Sequence, residues 1–145
     1  MKYPRSGLRI RCEKGVHPEV RTVCLNFGRW LRKNMDFPIR VVVYLKSDYQ
    51  IKNRTTKEYV TATFFAPYDK DVEPYIRIAT GDYDELIQNR GKVDALYDKL
   101  DSIAHELIHY QQWIKDEKMD ENEAEEKGIK LVDRYSESIE TILDF

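Results

Sequence analysis

The stretch Val93-Asp94-Ala95-Leu96-Tyr97-Asp98-Lys99-Leu100-Asp101-Ser102-Ile103-Ala104-His105-Glu106-Leu107-Ile108-His109-Tyr110-Gln111-Gln112-Trp113-Ile114 contains neither Gly nor Pro. Leu96, Leu100, Ile103 and Leu107 recur in it at spacings of three and four, the period of an amphipathic helix. At about 100° per residue, His105 and His109 project from nearly the opposite side. One face of the predicted helix is therefore committed to a core, while a pair of imidazoles one turn apart looks the other way.

Downstream, the charged segment Lys115-Asp116-Glu117-Lys118 reads as a turn. Asp120, with Glu123 three residues later, has capping-box spacing for a last helix running toward Leu143. On that helix Glu121, Ala124, Glu125, Gly128, Val132, Tyr135 and Ile139 share one face, while Glu123 and Glu126 fall on the other side with Lys127. Ala124 and Gly128 are small enough to let this helix approach the preceding one closely. Two carboxylates on an apolar face call for a partner, because burying an unpaired carboxylate costs several kcal/mol or forces protonation. A divalent cation or an imidazole removes that problem.

Upstream, Leu8 to Cys12 alternates as a short strand. His17-Pro18-Glu19 opens a helix carrying Val20, Val23, Cys24, Phe27, Trp30 and Leu31, which ends near Asn34. His17 itself reads as a surface or capping residue. Ile39 to Leu45 is a buried strand, residues 46–57 are polar and turn-like, and residues 58–65 are rich in β-branched and aromatic side chains. Pro67 to Pro74 is a loop, Tyr75 to Ala79 alternates as a further strand, and Asp82 caps a short helix to about Asn89. The order β-α-β-β-β-α-α-α predicts an α+β domain spanning residues 1–145. Its expected form is a small, mostly antiparallel sheet with an N-terminal helix, packed on the histidine-bearing helix and the C-terminal helices.

With 145 residues, 41% of them apolar and 34% charged, the chain has material for one core. The net charge of -2 shows no basic excess that points to nucleic acid. The basic N-terminus has no apolar run behind it, and no segment approaches the roughly 20 apolar residues of a membrane span. Cytoplasmic location without a membrane partner is therefore expected if the start is the natural one. Cys12 and Cys24 fit small, reduced core residues.

His105-Glu106-Leu107-Ile108-His109 is an H-E-x-x-H motif. Two imidazoles four residues apart on a helix can reach one ion, and zinc suits them because it accepts a tetrahedral site with one open position. Glu106, on the flank of that face, is placed to take a proton from water. Followed by Glu121-x-x-Ala124-Glu125, the motif resembles the pattern of the gluzincin metallopeptidases, and the chain's size and order are similar to the minimal single-domain minigluzincins. The resemblance covers residues 93–140.

It implies a zincin-like fold and a Zn2+ cofactor held by His105, His109 and Glu121. It further implies that Glu125 orients one zinc-binding histidine, that Asp120 serves the other, and that Glu106 is the general base of peptide hydrolysis. Tyr135, on the same face of the last helix, and Tyr110, which adjoins the motif, are candidates for stabilising the oxyanion, and Trp113 is a candidate wall of the cleft. A peptide or protein substrate is expected to bind as an extra strand along Tyr75–Ala79 or, alternatively, along residues 58–65. The competing expectations are a metal-binding, non-proteolytic regulatory or interaction module, a structural or interaction protein with an accidental motif, and a latent enzyme whose residues 136–145 fill its own cleft. Oligomeric state is left open.

Overall fold

The structure, a computed structural model, describes residues 5–144. The first four residues of the basic N-terminus, and the last residue of the 136–145 segment expected to fill the cleft, lie outside the described residues. The elements run β1 (Leu8–Cys12), α1 (Pro18–Asn34), β2 (Val41–Lys46), β3 (Ile51–Lys52), β4 (Tyr59–Val60), β5 (Ala62–Phe65), β6 (Tyr75–Ala79), α2 (Tyr83–Arg90), α3 (Lys92–Ile114) and α4 (Glu121–Ser138). This is an α+β fold of four helices and a small mixed sheet, with a separate two-stranded hairpin. Among the described residues, no helix is long and apolar enough to cross a membrane.

The main sheet has the order β1-β2-β6-β5. β1 pairs with β2, and β2 with β6, in parallel; only β5 and β6 are antiparallel. The expected mostly antiparallel sheet is thus corrected to a mixed one with two parallel pairings. The reason lies in α1, which joins β1 to β2 as a crossover and returns the chain to the end where β1 began. β6 was expected at the exposed edge, but it lies between β2 and β5. The edge beside it is β5, within the alternative segment. That segment is not one strand: residues 59–60 pair with β3 as a hairpin, and residues 62–65 pair with β6.

One side of the sheet is apolar. Leu8, Ile10, Val41, Val43, Leu45, Ile76 and Ile78 are buried there in the same core as Val20, Val23, Cys24, Phe27 and Leu31 of α1. Leu96, Leu100, Ile103 and Leu107 of α3 complete this core, as their spacing predicts. The histidine face of α3 is covered by α4, as the small residues Ala124 and Gly128 predict, because the short turn after α3 folds α4 back against it. Asp116 enters the left-handed region at φ 55°, and the amide of Glu117 donates to the carbonyl of Gln112, closing the helix end. α4 starts where its capping pattern predicts, with Asp120 Oδ1 accepting from the amide of Glu123. It ends at Ser138, short of Leu143.

His17 caps α1, its Nδ1 accepting from the amide of Glu19 at 3.1 Å. Asp82 precedes α2 but makes no side-chain cap. Its carboxylate goes instead to Lys99, which is only 1% exposed and also bonds Asp98 Oδ2 at 3.3 Å and the carbonyl of Ala79 at 3.4 Å. This buried cation ties the end of β6 and the start of α2 to the middle of α3. Lys99→Met leaves the Asp82 carboxylate without its main partner, and urea denaturation should show a loss of roughly 3 kcal/mol. Lys99→Met combined with Asp82→Asn should recover part of it. If the double variant is no more stable than the single one, the pair does not have this role.

Candidate metal centre

α3 and α4 meet backbone to backbone at Gly128. A Cβ built there would stand 3.1 Å from the nitrogen and 3.2 Å from the Cα of His105. That distance is tighter than side chains normally tolerate, so glycine sets how near α4 can lie. The approach carries the first turn of α4 over the two histidines.

The carboxylate of Glu121 spans both rings. Its Oε2 is 3.0 Å from His105 Nε2, and its Oε1 is 2.8 Å from His109 Nε2. The three ligand atoms of His105, His109 and Glu121 lie within 4.8 Å of one another. His105 is partly exposed and His109 is 5% exposed. Glu121 and Glu125 occupy the rim rather than a buried face, and the side chain of Glu121 is 77% exposed. Exposure reduces the desolvation cost of these carboxylates, so the geometry at the rings, not burial, is what marks them.

The opposite nitrogen of each ring is held as well. Glu125 Oε2 lies 3.3 Å from His105 Nδ1. His109 Nδ1 is 2.8 Å from Oε1 of Gln112, a residue for which sequence reasoning assigned no role. The orientation of that amide follows from its other contacts. Its Nε2 donates to the carbonyl of Asp120 at 3.1 Å and to Glu123 Oε1 at 2.9 Å, while its Oε1 also accepts from the amide of Asp120 at 3.3 Å. The side-chain oxygen therefore faces His109, and Nδ1 is the donor. The expected role of Asp120 passes to Gln112: the Asp120 side chain caps α4, and only its backbone supports the amide. The one signal in the sequence is its spacing, three residues past His109 on the histidine side of α3; its burial is visible only in the structure.

With both Nδ1 atoms facing acceptors, the two Nε2 atoms turn toward the Glu121 carboxylate. Acceptors at 2.8 and 3.0 Å require positive charge between them, either a second proton on each ring or a shared cation. Tetrahedral ligands at zinc bond lengths lie about 3.3 Å apart, within a few tenths of an ångström of these separations. Two neutral imidazoles and one carboxylate, with room left on the exposed side, fit such an ion.

Glu106 is 8% exposed. Burial pushes its carboxyl up to about 7, with the Glu121 charge adding to the rise and His109 opposing it. It shares a face of α3 with Tyr110 and Trp113 at spacings of four and seven. Phe64 of β5 packs edge-on against both of those rings, and Trp113 Nε1 donates to the carbonyl of Pro67 at 2.8 Å. The edge strand β5 is thereby pinned against α3.

Neither tyrosine considered for the oxyanion reaches this centre. Tyr135 is 5% exposed and packs between Phe27 and Trp30, with ring centroids 5.0 and 5.5 Å away. The helical rise places it about 20 Å along α4 from Glu121, which removes it from the candidate site. The Tyr110 hydroxyl is occupied by the backbone of Ile39, donating to its carbonyl and accepting from its amide. Residues 139–144 do not fill the cleft either: Ile142 is buried beside Val23 and Trp30 of α1. Compared with protein-family models, curated proteins and solved structures, the chain matches none.

A carboxyl raised from its ordinary 4.5 binds its proton more tightly in the folded chain than in the unfolded one. The associated stability is present below about 4.5 and is lost as the pH rises through about 7. Glu106→Gln should therefore stabilise the metal-free protein at pH 8 by on the order of 2 kcal/mol, and by little at pH 4.5. Urea titrations at the two pH values check this; a gain independent of pH would contradict the burial of an ionised carboxylate at this position.

Proposed function

We propose that the chain is a zinc-dependent metallopeptidase of the gluzincin type, with a zincin-like fold. One observation carries this reading: Glu121 from one helix meets the Nε2 atoms of both His105 and His109 from another, while Gln112 and Glu125 hold the rings from behind. His105, His109 and Glu121 would hold the metal. Zinc bound there supplies a Lewis acid for a peptide carbonyl and brings water toward ionisation at neutral pH.

The chain's own groups supply the rest of the reaction. Glu106, with a carboxyl near neutrality, accepts the proton of the attacking water and returns it to the leaving amine. His109 keeps its ring orientation through Gln112, and His105 through Glu125. The substrate, a peptide or a segment of protein in extended form, lies along the outer edge of β5. No strand among the described residues pairs with that edge, and main-chain hydrogen bonds there fix the register of the peptide past Glu106. The free thiols of Cys12 and Cys24 suit a reducing, cytoplasmic setting.

Elemental analysis of the purified protein should find one zinc per chain, with the metal lost in Glu121→Ala. Glu106→Gln should keep the zinc and lose turnover of unfolded protein substrates roughly a hundredfold or more. Equal turnover in Glu106→Gln at equal zinc content would end the peptidase reading, and absence of zinc from the parent would end the metal reading. Gln112→Leu frees the His109 ring behind the centre and should weaken zinc affinity by about 10- to 100-fold in a chelator competition.

A further inference from the structure

The near-zero net charge hides a segregation of charge along the chain. Residues 5–57 carry thirteen Lys and Arg against four Asp and Glu, whereas residues 58–144 carry ten against twenty-two. The basic half builds β1, α1, β2 and most of the hairpin, so many of its cations reach the side of the sheet that α1 and α3 do not cover. Strand alternation and register set the rows on that side. Arg9, Val42, Tyr75 and Phe65 form one row across β1, β2, β6 and β5; Arg11, Tyr44, Arg77 and Thr63 form the next.

Tyr44 and Phe65 are exposed. Phe65 stacks on Tyr75 with centroids 4.9 Å apart, and Tyr44 meets Tyr75 edge-on at 6.2 Å. Beyond the second row, the β3–β4 hairpin folds over the sheet and borders a cavity of about 380 Å³ lined by Lys46, Lys52, Arg54, Lys57, Arg77 and the exposed ring of Tyr59. Asp48 is the one acidic residue in that lining, and Glu13 pairs with Lys46 from outside it at 3.4 Å. Arg77 reaches the carbonyl of Lys52 through its terminal nitrogen at 3.0 Å, but its buried Nε has no hydrogen-bond partner.

We propose that this open sheet face binds single-stranded nucleic acid, with phosphates in the basic cavity and bases on the aromatic rows. Cations alone would serve any polyanion. The aromatic side chains interleaved with them favour a strand whose bases are free to stack, since every base offers a π-face and a paired duplex does not. The site is separate from the metal centre, which lies on the other side of α3, and it stands whether or not that centre is catalytic.

Fluorescence anisotropy with 5′-fluorescein oligo-deoxythymidine tests this on the full chain. Binding is expected at low salt, weakening as salt rises with a log–log slope of roughly -0.7 per phosphate contacted. Arg54→Ala/Lys57→Ala should weaken binding roughly tenfold, and Tyr44→Ser/Phe65→Ser roughly fivefold or more. Arg29→Ala/Lys33→Ala removes the same charge from α1 and should leave affinity unchanged. Circular dichroism melts show that each variant is folded; Arg54→Ala alone, in the hairpin turn, replaces any double variant that is not. No binding by the parent, equal binding by Tyr44→Ser/Phe65→Ser, or displacement by inorganic polyphosphate as effective as by unlabelled oligonucleotide would each overturn the proposal. Preference for a duplex of the same length would do so too.

Discussion

The close approach of α4 to α3 at Gly128 is the constraint on which the rest depends. Any side chain there would press on the backbone of His105, and a shift of α4 by even a fraction of an ångström would be felt at the Glu121 carboxylate two turns earlier. Helices this near transmit position rigidly, because their backbones leave no deformable side-chain layer between them. The turn after α3 is correspondingly short, and Asp116 accepts a left-handed conformation to make it so. The packing that buries Ala124, Val132 and Tyr135 is thus the same packing that places an exposed carboxylate over two imidazoles.

α3 is enclosed on most sides, yet it carries Lys99, Glu106, His109 and Gln112 in its buried part. Three of these are matched: Lys99 by Asp82, His109 by Gln112, and Gln112 by the start of α4. Glu106 is the exception, held in an apolar setting that favours its protonated form. A helix whose polar groups are satisfied by neighbours on both sides is held in rotation about its axis. Of these four it is the one whose charged form its surroundings disfavour.

The sheet separates two chemically different sides. Toward α3, apolar residues alternate into the core; away from it, arginines and aromatics alternate outward. The acidic second half of the chain supplies α2 to α4, so opposite charge collects around the candidate metal centre and the open sheet face. An average over the chain, such as the net charge of -2, cancels the two and conceals both.

Much of this was legible from residue spacing. The leucine stripe of α3, the start of α1 at His17-Pro18, the cap of α4 at Asp120 and the face shared by Glu121, Ala124, Glu125 and Gly128 all follow from local periodicity, which short-range sterics enforce. The two-residue strands of the β3–β4 hairpin are too short to leave a period. The same angular reading placed Tyr135 on the right face of α4 while leaving open how far along it the tyrosine stands from the histidines. Gln112 looked like one more polar residue until the backbone of Asp120 oriented its amide. Sequence by itself determined which side chains share a helix face, because that depends on neighbours within a turn or two. Only tertiary structure decided the strand directions, the choice of β5 as the edge and the partner behind His109, because each depends on segments far apart in the chain whose meeting no local period encodes.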